Sequence, residues 1–233
     1  PEGVSFHSES GEPGLVERLR DQLATRDIWP VHRLDKPTSG IMLFAKNAKA
    51  AAELSSLFAE RKVEKYYLAI TSRKPSKKQG WIIGDMEKSR RGAYKLTKSR
   101  ENPAVTQFVS ASAGEGQRLC LLKPHTGKTH QLRVALKALS APILGDLMYG
   151  GASSDRLYLH AYGIAFHYQG EQVRHAEPPE NSGAYSRPPV LETIHKWSDP
   201  WSMDWPKTAK FDKLGCFPLP CPFEPIPFFY KSG

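Results

Sequence analysis

The sequence predicts an α+β fold, with a mixed, mainly antiparallel sheet and flanking helices. The chain has 233 residues, which is enough to bury a substantial core. Strand-like segments parted by polar or glycine-containing turns follow one another along the middle of the chain, at residues 63–71, 81–85, 93–97, 105–111 and 118–123. Such a run of neighbouring strands, with helical patterns before and after it, favours an antiparallel sheet.

Three segments have the apolar spacing of amphipathic helices. The first covers residues 13–24, behind a proline suited to the first helical turn. Asn47 can cap a second helix over residues 48–62, and a third is predicted over residues 129–139. Two further strands are predicted, at residues 41–45 and 157–168.

Proline and aromatic residues become frequent after residue 177. They include Trp197, Trp201, Trp205 and the aromatic stretch at 217–230. We therefore expect residues 1–177 to form one domain and residues 178–233 to form an extended arm laid over it. The aromatic residues of the arm are expected to pack against the domain rather than to stack on bases.

The charge of the chain is compatible with binding to phosphates. The formal net charge is +9 and the pI is near 9.4, although a basic pI alone is weak evidence for nucleic acid. No apolar run approaches the roughly 20 residues of a membrane span, and no signal-peptide pattern is present, so we expect a cytoplasmic protein with no membrane partner. The three cysteines, Cys120, Cys216 and Cys221, have no CxxC spacing and predict reduced thiols rather than a disulfide framework or a zinc site.

One carboxylate stands in a turn that is rich in cations and hydrogen-bond donors. Residues 32–40 read HRLDKPTSG, in which Pro37 and Gly40 suit a turn. Asp35 is therefore expected on a loop anchored by the strand that follows, a position typical of an ionised nucleophile. Arg133, in the segment GKTHQLR, is expected to hold the charge of Asp35 through a bidentate pair. Taken alone, either residue can instead be an ordinary solvated surface charge.

Other kinds of site fit the sequence less well. A nucleotide-binding P-loop ending at Gly127 requires glycine where Leu122 stands, and His125 and His130 lack further zinc ligands. A glycoside hydrolase normally needs two carboxylates, and Asp146, the only distant acid in a suggestive turn, is expected to be a turn or cap residue. A single nucleophilic carboxylate suits a reaction that breaks a glycosidic bond without releasing the base to water.

These segments resemble the RluA family of RNA pseudouridine synthases through most of residues 1–170. Residues 32–40 resemble the HRLDxxTSG motif, residues 65–69 the KxYxA strand, and residues 123–133 the TGRTHQIR segment. Residues 142–146 and 149–150 follow as in the family, and residues 159–161 resemble its final core strand. Residues 1–7 resemble the KPxGxxxH motif with which the family's domain opens, and the sequence begins inside that motif. Lys128 replaces the usual arginine and Leu132 the usual isoleucine. No S4-type domain is recognisable, so RNA recognition is expected to fall on the catalytic domain.

The resemblance implies the pseudouridine synthase catalytic fold and the isomerisation of uridine in ribosomal or transfer RNA, by a monomer without metal or organic cofactor. Asp35 would be the nucleophile, at the sugar or at the base, with Arg133 as its partner. Tyr67 would pack against the uracil and help to remove its C5 proton. Arg33 would fill the gap left by a flipped-out uridine. Substrate contacts are implied for the other polar residues of the two longer motifs as well: His32, Arg33, Thr38, Lys128, Thr129, His130 and Gln131.

Two rival functions remain open at this point. An RNA-binding module of the same fold could have lost catalysis, although the presence of Asp35, Tyr67 and Arg133 argues against this. A hydrolytic nucleosidase would instead release free uracil. The basic stretch 88–98 is predicted to be a hairpin that contacts RNA, with a solvated charged face as the alternative.

Overall fold

The computed structural model describes residues 2–5 and 13–207, and the elements named below lie within these ranges. The four α-helices are α1 (Leu15–Gln22), α2 (Ala48–Ala59), α3 (Gln131–Ala138) and α4 (Pro188–Lys196), and short 3-10 helices cover Arg90–Gly92, Leu147–Tyr149 and Gly183–Ser186. The strands are β1 (Trp29–Pro30), β2 (Ser39–Gly40), β3 (Phe44–Ala45), β4 (Glu64–Thr71), β5 (Gln79–Gly84), β6 (Met86–Lys88), β7 (Tyr94–Leu96), β8 (Ala104–Gly114), β9 (Gln117–Pro124), β10 (Leu159–Tyr168) and β11 (Glu171–Ala176).

A seven-stranded sheet forms the centre of the molecule. Six strands follow the order β11-β10-β4-β9-β8-β5 with antiparallel neighbours, and β2 joins β10 in parallel. The predicted α+β class with a mixed, mainly antiparallel sheet is confirmed. β6 and β7 pair separately as the hairpin predicted around residues 88–98.

The core lies on the central strands. Leu68, Ile70, Leu121 and Leu136 of α3 have no exposed surface, and residues 68–71 of β4 are all buried. Since alternate residues of a strand point to opposite faces, both faces of the sheet are covered at this place. This packing gives rigid support to β4, which carries Tyr67.

The predicted strand at residues 41–45 is only partly correct. Pairing occurs at Ser39–Gly40 and at Phe44–Ala45, whereas residues 41–43 belong to no strand. The cause lies at Gly40, whose φ of +113° is unfavourable for other residues and turns the chain. Ile41 and Leu43 are half-buried against a second, smaller core that includes Leu54 of α2.

The segment after residue 177 is not simply extended. Pro188 begins helix α4, and Val190 and Ile194, four residues apart, are buried on one face of it. Trp201 and Trp205 then pack on the ring of Tyr66, with ring centroids 5.7 and 5.8 Å away. The aromatic stretch 217–230 and the cysteines at 216 and 221 lie outside the described residues, and the boundary at 177 stays a prediction. No helix in the described part of the chain has the length and apolar character needed to cross a bilayer.

Candidate active site

A cavity of about 760 Å³ opens between the 32–38 turn, strand β4 and the 123–133 segment. Asp35, Tyr67 and Arg133 all line it. The other site residues predicted from the sequence also contribute to its wall: His32, Arg33, Thr38, Lys128, Thr129, His130 and Gln131. Side chains from three separate parts of the chain therefore meet at one cavity.

The turn that carries Asp35 is docked on strand β10. The Thr38 N–H donates to the Asp35 carbonyl at 2.8 Å and closes the turn. Gly40 then lies so close to β10 that a Cβ at this position would be 2.2 Å from the Ala161 carbonyl oxygen. Only glycine permits this approach, which fixes the height of the turn above the sheet.

A buried hydroxyl strengthens the same junction. His160 directs Nε2 to the Glu177 carbonyl at 2.9 Å, so Nε2 carries the hydrogen and Nδ1 is an acceptor. The Ser39 hydroxyl, 2.8 Å away, therefore donates to His160 Nδ1, while Arg156 Nη2 donates to the same Ser39 oxygen at 2.6 Å. Each polar group at the base of the turn thus has a partner.

Two cationic or polar side chains approach the Asp35 carboxylate without contacting it directly. Arg133 Nη1 is 4.0 Å and His130 Nε2 is 3.9 Å from Oδ2 of Asp35. The Asp35 side chain remains 29% exposed, in the cavity. This carboxylate is therefore accessible to a ligand while a guanidinium lies within electrostatic range.

The bidentate partner of Arg133 is Asp146, so the predicted bidentate pair with Asp35 is wrong. Arg133 Nε and Nη2 donate to the two Asp146 carboxylate oxygens at 2.8 and 2.7 Å. Asp146 precedes a 3-10 helix, as a cap residue would, but its side chain makes no capping bond. Burial alone would lower the pKa of Arg133, but the hydrogen bonds and charge of Asp146 outweigh burial and raise it. Asp146 thus holds the Arg133 guanidinium in place, with Nη1 4.0 Å from the Asp35 carboxylate.

Tyr149, which the residue-by-residue reasoning did not select, connects the groups around Asp35. Its hydroxyl is 2.9 Å from His130 Nδ1 and accepts the Tyr94 N–H at 3.1 Å. The Arg133 guanidinium lies over its ring, 4.9 Å from the centroid. Tyr149 therefore positions both neighbours of Asp35 and links them to the β6–β7 hairpin. The sequence signal that could have identified Tyr149 is its place in the segment 149–150, which follows Asp146 as in the family.

Tyr67 projects from β4 into the cavity beside Asp35. Burial, together with the negative charge of Asp35, raises the pKa of Tyr67 to about 12. At pH 7 the phenolate fraction of such a group is on the order of 10⁻⁵. The ring can pack against a ligand, but the phenol is a poor proton acceptor, which disfavours the predicted part in removing the C5 proton.

His32 and Gln131 line the cavity but have their polar atoms engaged within the protein. His32 Nε2 accepts the Leu43 N–H at 2.9 Å, and burial followed by the charge of Lys65 lowers the pKa of His32 to about 4. The Gln131 amide uses both of its ends in hydrogen bonds, with Thr126 Oγ1, Lys128 N, Val105 O and Thr106 Oγ1. These two side chains hold the cavity wall in place.

Of the remaining predicted contacts, Arg33 and Thr129 are exposed at the cavity. Lys128 Nζ donates to the Asn102 side chain at 2.7 Å, in an exposed setting. Thr38 is buried beneath the turn. Arg33, whose side chain has no hydrogen bond or ion pair to another described residue, is the group best placed to meet an incoming ligand.

The docked turn thus places one accessible aspartate beside a buried arginine, next to an antiparallel sheet. Residues 1–138 match the family model described as RNA pseudouridylate synthase. The chain belongs to this family.

Individual relatives agree with this assignment. The chain is 49% identical over 195 residues to an uncharacterized RNA pseudouridine synthase of Haemophilus influenzae, covering 83% of this chain and 87% of the relative. It is 41% identical to ribosomal large subunit pseudouridine synthase C of Rickettsia bellii, over 58% of this chain and 47% of that protein. Among solved structures it resembles human RNA pseudouridylate synthase domain containing 1, with 30% identity, a TM-score of 0.65 and 77% of each chain covered.

Proposed function

We propose that this protein isomerises a specific uridine of structured RNA to pseudouridine, with Asp35 as the nucleophile on a flipped-out uridine. The observation that carries the proposal is the meeting of Asp35, Tyr67 and Arg133 at one cavity, with Arg133 Nη1 4.0 Å from the Asp35 carboxylate. The family membership gives the reaction, and the geometry supports the roles of these residues.

The reaction rearranges bonds within one nucleotide. The N1–C1′ bond breaks, the uracil turns while held, C5 bonds to C1′, and the proton lost from C5 is balanced by one gained at N1. Asp35 attacks either C1′ or the base, with the Arg133 guanidinium close enough to interact with its charge. Tyr67 packs against the uracil so that the base cannot leave during its rotation.

Base flipping costs a few kcal/mol of lost stacking, least where the uridine lies in a loop. Arg33 is exposed at the cavity and carries a planar cation that can stack in the vacated position. The basic hairpin β6–β7 exposes Lys88, Arg90, Arg91 and Lys95 and is fastened to the site through Tyr94 and Tyr149. We infer that this hairpin contacts phosphates of the same RNA.

The substrate in this proposal is ribosomal or transfer RNA. The net charge of +9 suits a polyanionic partner, and the Rickettsia relative bears the name of a ribosomal large subunit enzyme. A cytoplasmic location and a monomeric state belong to the same proposal. Mapping pseudouridines in total RNA from cells with and without the gene identifies the target uridine.

The decisive variant is Asp35→Asn, which keeps the shape of the side chain and removes its charge. We expect pseudouridine formation to be abolished while RNA affinity stays within a few-fold, since phosphate contacts supply most of the affinity. Full turnover by this variant would remove the nucleophile assignment. Identical pseudouridines in cells with and without the gene, together with RNA binding by the purified protein, would favour the alternative function, a catalytically inactive RNA-binding module.

Analysis of the products formed by the wild-type protein separates a hydrolytic nucleosidase from an isomerase. A nucleosidase releases uracil and leaves an abasic sugar, whereas the proposed reaction keeps the base attached through carbon. Chromatography of the nucleosides after complete digestion of the RNA distinguishes the two products. Release of free uracil in proportion to uridine lost would contradict the proposal.

A further inference from the structure

Lys65 is a cation inside the cavity to which the reaction above gives no role. It precedes Tyr67 by two residues on β4, so both side chains point to the same face of the strand, and both line the cavity. Within residues 2–5 and 13–207, Lys65 has no carboxylate or hydrogen-bond acceptor as a partner. Its Nζ atom lies beside the 125–130 loop, 3.9 Å from where a Cβ of Gly127 would be.

The surroundings of Lys65 are those of an uncompensated positive charge. Burial, and then the charge of Arg61, lowers the pKa of Lys65. The field of Lys65 in turn lowers the pKa of His32, after the larger effect of burial. Arg61 also lines the cavity, so two cations are presented to the same space.

The nearest acid in sequence does not neutralise this charge. Glu64 is adjacent in the strand and also lines the cavity, but its carboxylate is already engaged: it accepts from Lys123 Nζ at 3.0 Å and from the Tyr66 hydroxyl. A half-buried ammonium without a partner is unfavourable in the free protein. A ligand that supplies a negative charge would compensate the Lys65 ammonium at this place.

We propose that Lys65 binds one phosphate of the substrate RNA next to the target uridine, in a subsite that it forms with Arg61. This inference rests on the proposed function, because a polynucleotide is the anion that would bring such a group into the cavity. Two residues along a strand separate Lys65 from Tyr67 by about 7 Å. Uracil packed on Tyr67 therefore places the sugar near Asp35 and one of its phosphates within reach of the ammonium. A charge-assisted hydrogen bond of this kind is roughly twice as strong as a neutral one.

The test combines a protein change with an RNA change. The RNA is a synthetic oligonucleotide that spans the mapped uridine and carries one uncharged methylphosphonate in turn at each flanking phosphate. We expect one position to lower kcat/KM of the wild-type protein about tenfold, which corresponds to about 1.4 kcal/mol. Lys65→Met should show a similar loss on native RNA and no further loss at that position, with unchanged penalties at the others.

Two further variants sharpen the result. Lys65→Arg keeps the charge and should recover most of the activity. Lys74→Met, at the exposed end of the loop after β4, removes an equal charge away from the cavity and should retain the wild-type methylphosphonate pattern. The slope of log affinity against log salt should become shallower by about one phosphate contact in Lys65→Met. Thermal unfolding of each variant verifies that it is folded.

The phosphate assignment alone would be overturned if the wild-type protein is active but the loss of kcat/KM in Lys65→Met adds to the methylphosphonate loss at every phosphate position. A fall in kcat with unchanged KM and a shifted pH profile in Lys65→Met would also overturn it, in favour of proton transfer by the amine. If the wild-type protein forms no pseudouridine in the native oligonucleotide, both the subsite and the proposed function are overturned.

Discussion

The strongest single constraint on the candidate site is the buried pair of Arg133 and Asp146, and Asp146→Asn tests it. The side chains are 8% and 1% exposed and joined by two hydrogen bonds of 2.7–2.8 Å. Asparagine keeps one acceptor but turns an amide N–H₂ toward a guanidinium nitrogen. Removing one partner of a buried pair costs 3–5 kcal/mol, and the retained acceptor places the expected loss near the lower end, at about 3 kcal/mol. For a domain of this size that lowers Tm by about 6–12 °C.

The effect on catalysis follows from geometry. Without the second carboxylate oxygen, Arg133 is free to rotate toward Asp35, now its strongest available partner, and to cover the nucleophile. A displacement of about 1 Å at such a place can cost on the order of 100-fold in rate, so we expect kcat to fall by one to two orders of magnitude. Thermal unfolding followed by circular dichroism and a pseudouridine assay measure the two effects.

The matched control is Glu192→Gln, which removes one partner of an exposed ion pair with Lys196 on helix α4. This variant should leave both Tm and rate unchanged, because exposed pairs contribute little. A Tm for Asp146→Asn within 2 °C of wild type, together with full activity, would refute the reasoning that Asp146 holds Arg133 in place.

Three further outcomes are expected. Tyr149→Phe leaves His130 Nδ1 and the Tyr94 N–H without their hydroxyl partner. The free energy of unfolding should therefore fall by about 2 kcal/mol, and kcat should fall with little change in KM. An unchanged rate and pH–rate profile would contradict the positioning role of Tyr149. The pKa values of His32 and His125 are lowered to about 4 by burial, and then by the charges of Lys65 and Lys123 respectively. Below pH 6.5 the unfolded chain therefore binds protons at these histidines that the folded protein does not bind. The free energy of unfolding should decrease as the pH falls from 6.5 toward 4, by up to about 3 kcal/mol for each histidine. Urea unfolding at stepped pH measures this, and His125→Gln should show a shallower decrease than wild type. Gly40→Ala should lose activity and lower Tm because its methyl group would meet the backbone of β10. Gly116→Ala is also at positive φ but faces open space, so its Tm should fall only by the smaller amount that backbone strain causes. Equal effects of the two variants would argue against docking of the turn.

The sheet was largely predictable because its signal is local. Strands β4, β8, β9 and β10 consist of apolar and β-branched runs bounded by turn residues, and their predicted limits differ from the observed ones by a few residues. Helix α4 was missed because the density of prolines around it concealed the spacing of Val190 and Ile194. Proline at the first helical position is compatible with a helix, so the pattern at 188–196 contained the information.

The site was predictable only in part. The sequence motifs indicated that Asp35 and Arg133 belong together, but no local pattern states which carboxylate takes the two-point contact with a buried guanidinium. Asp146 lies 13 residues beyond Arg133 across a loop, and its role depends on a long-range approach of side chains. For the same reason the link from Tyr149 to His130 was visible only in three dimensions.

The parallel contact of Ser39 and Gly40 with His160 and Ala161 joins parts of the chain 121 residues apart. During synthesis on the ribosome, the aspartate turn emerges long before the strand that supports it. A nascent chain that ends at residue 138 already contains every proposed catalytic side chain but lacks strand β10, on which the turn is docked. Competence to modify RNA is therefore acquired only when translation has passed the last strands, and a prematurely released fragment should be inert.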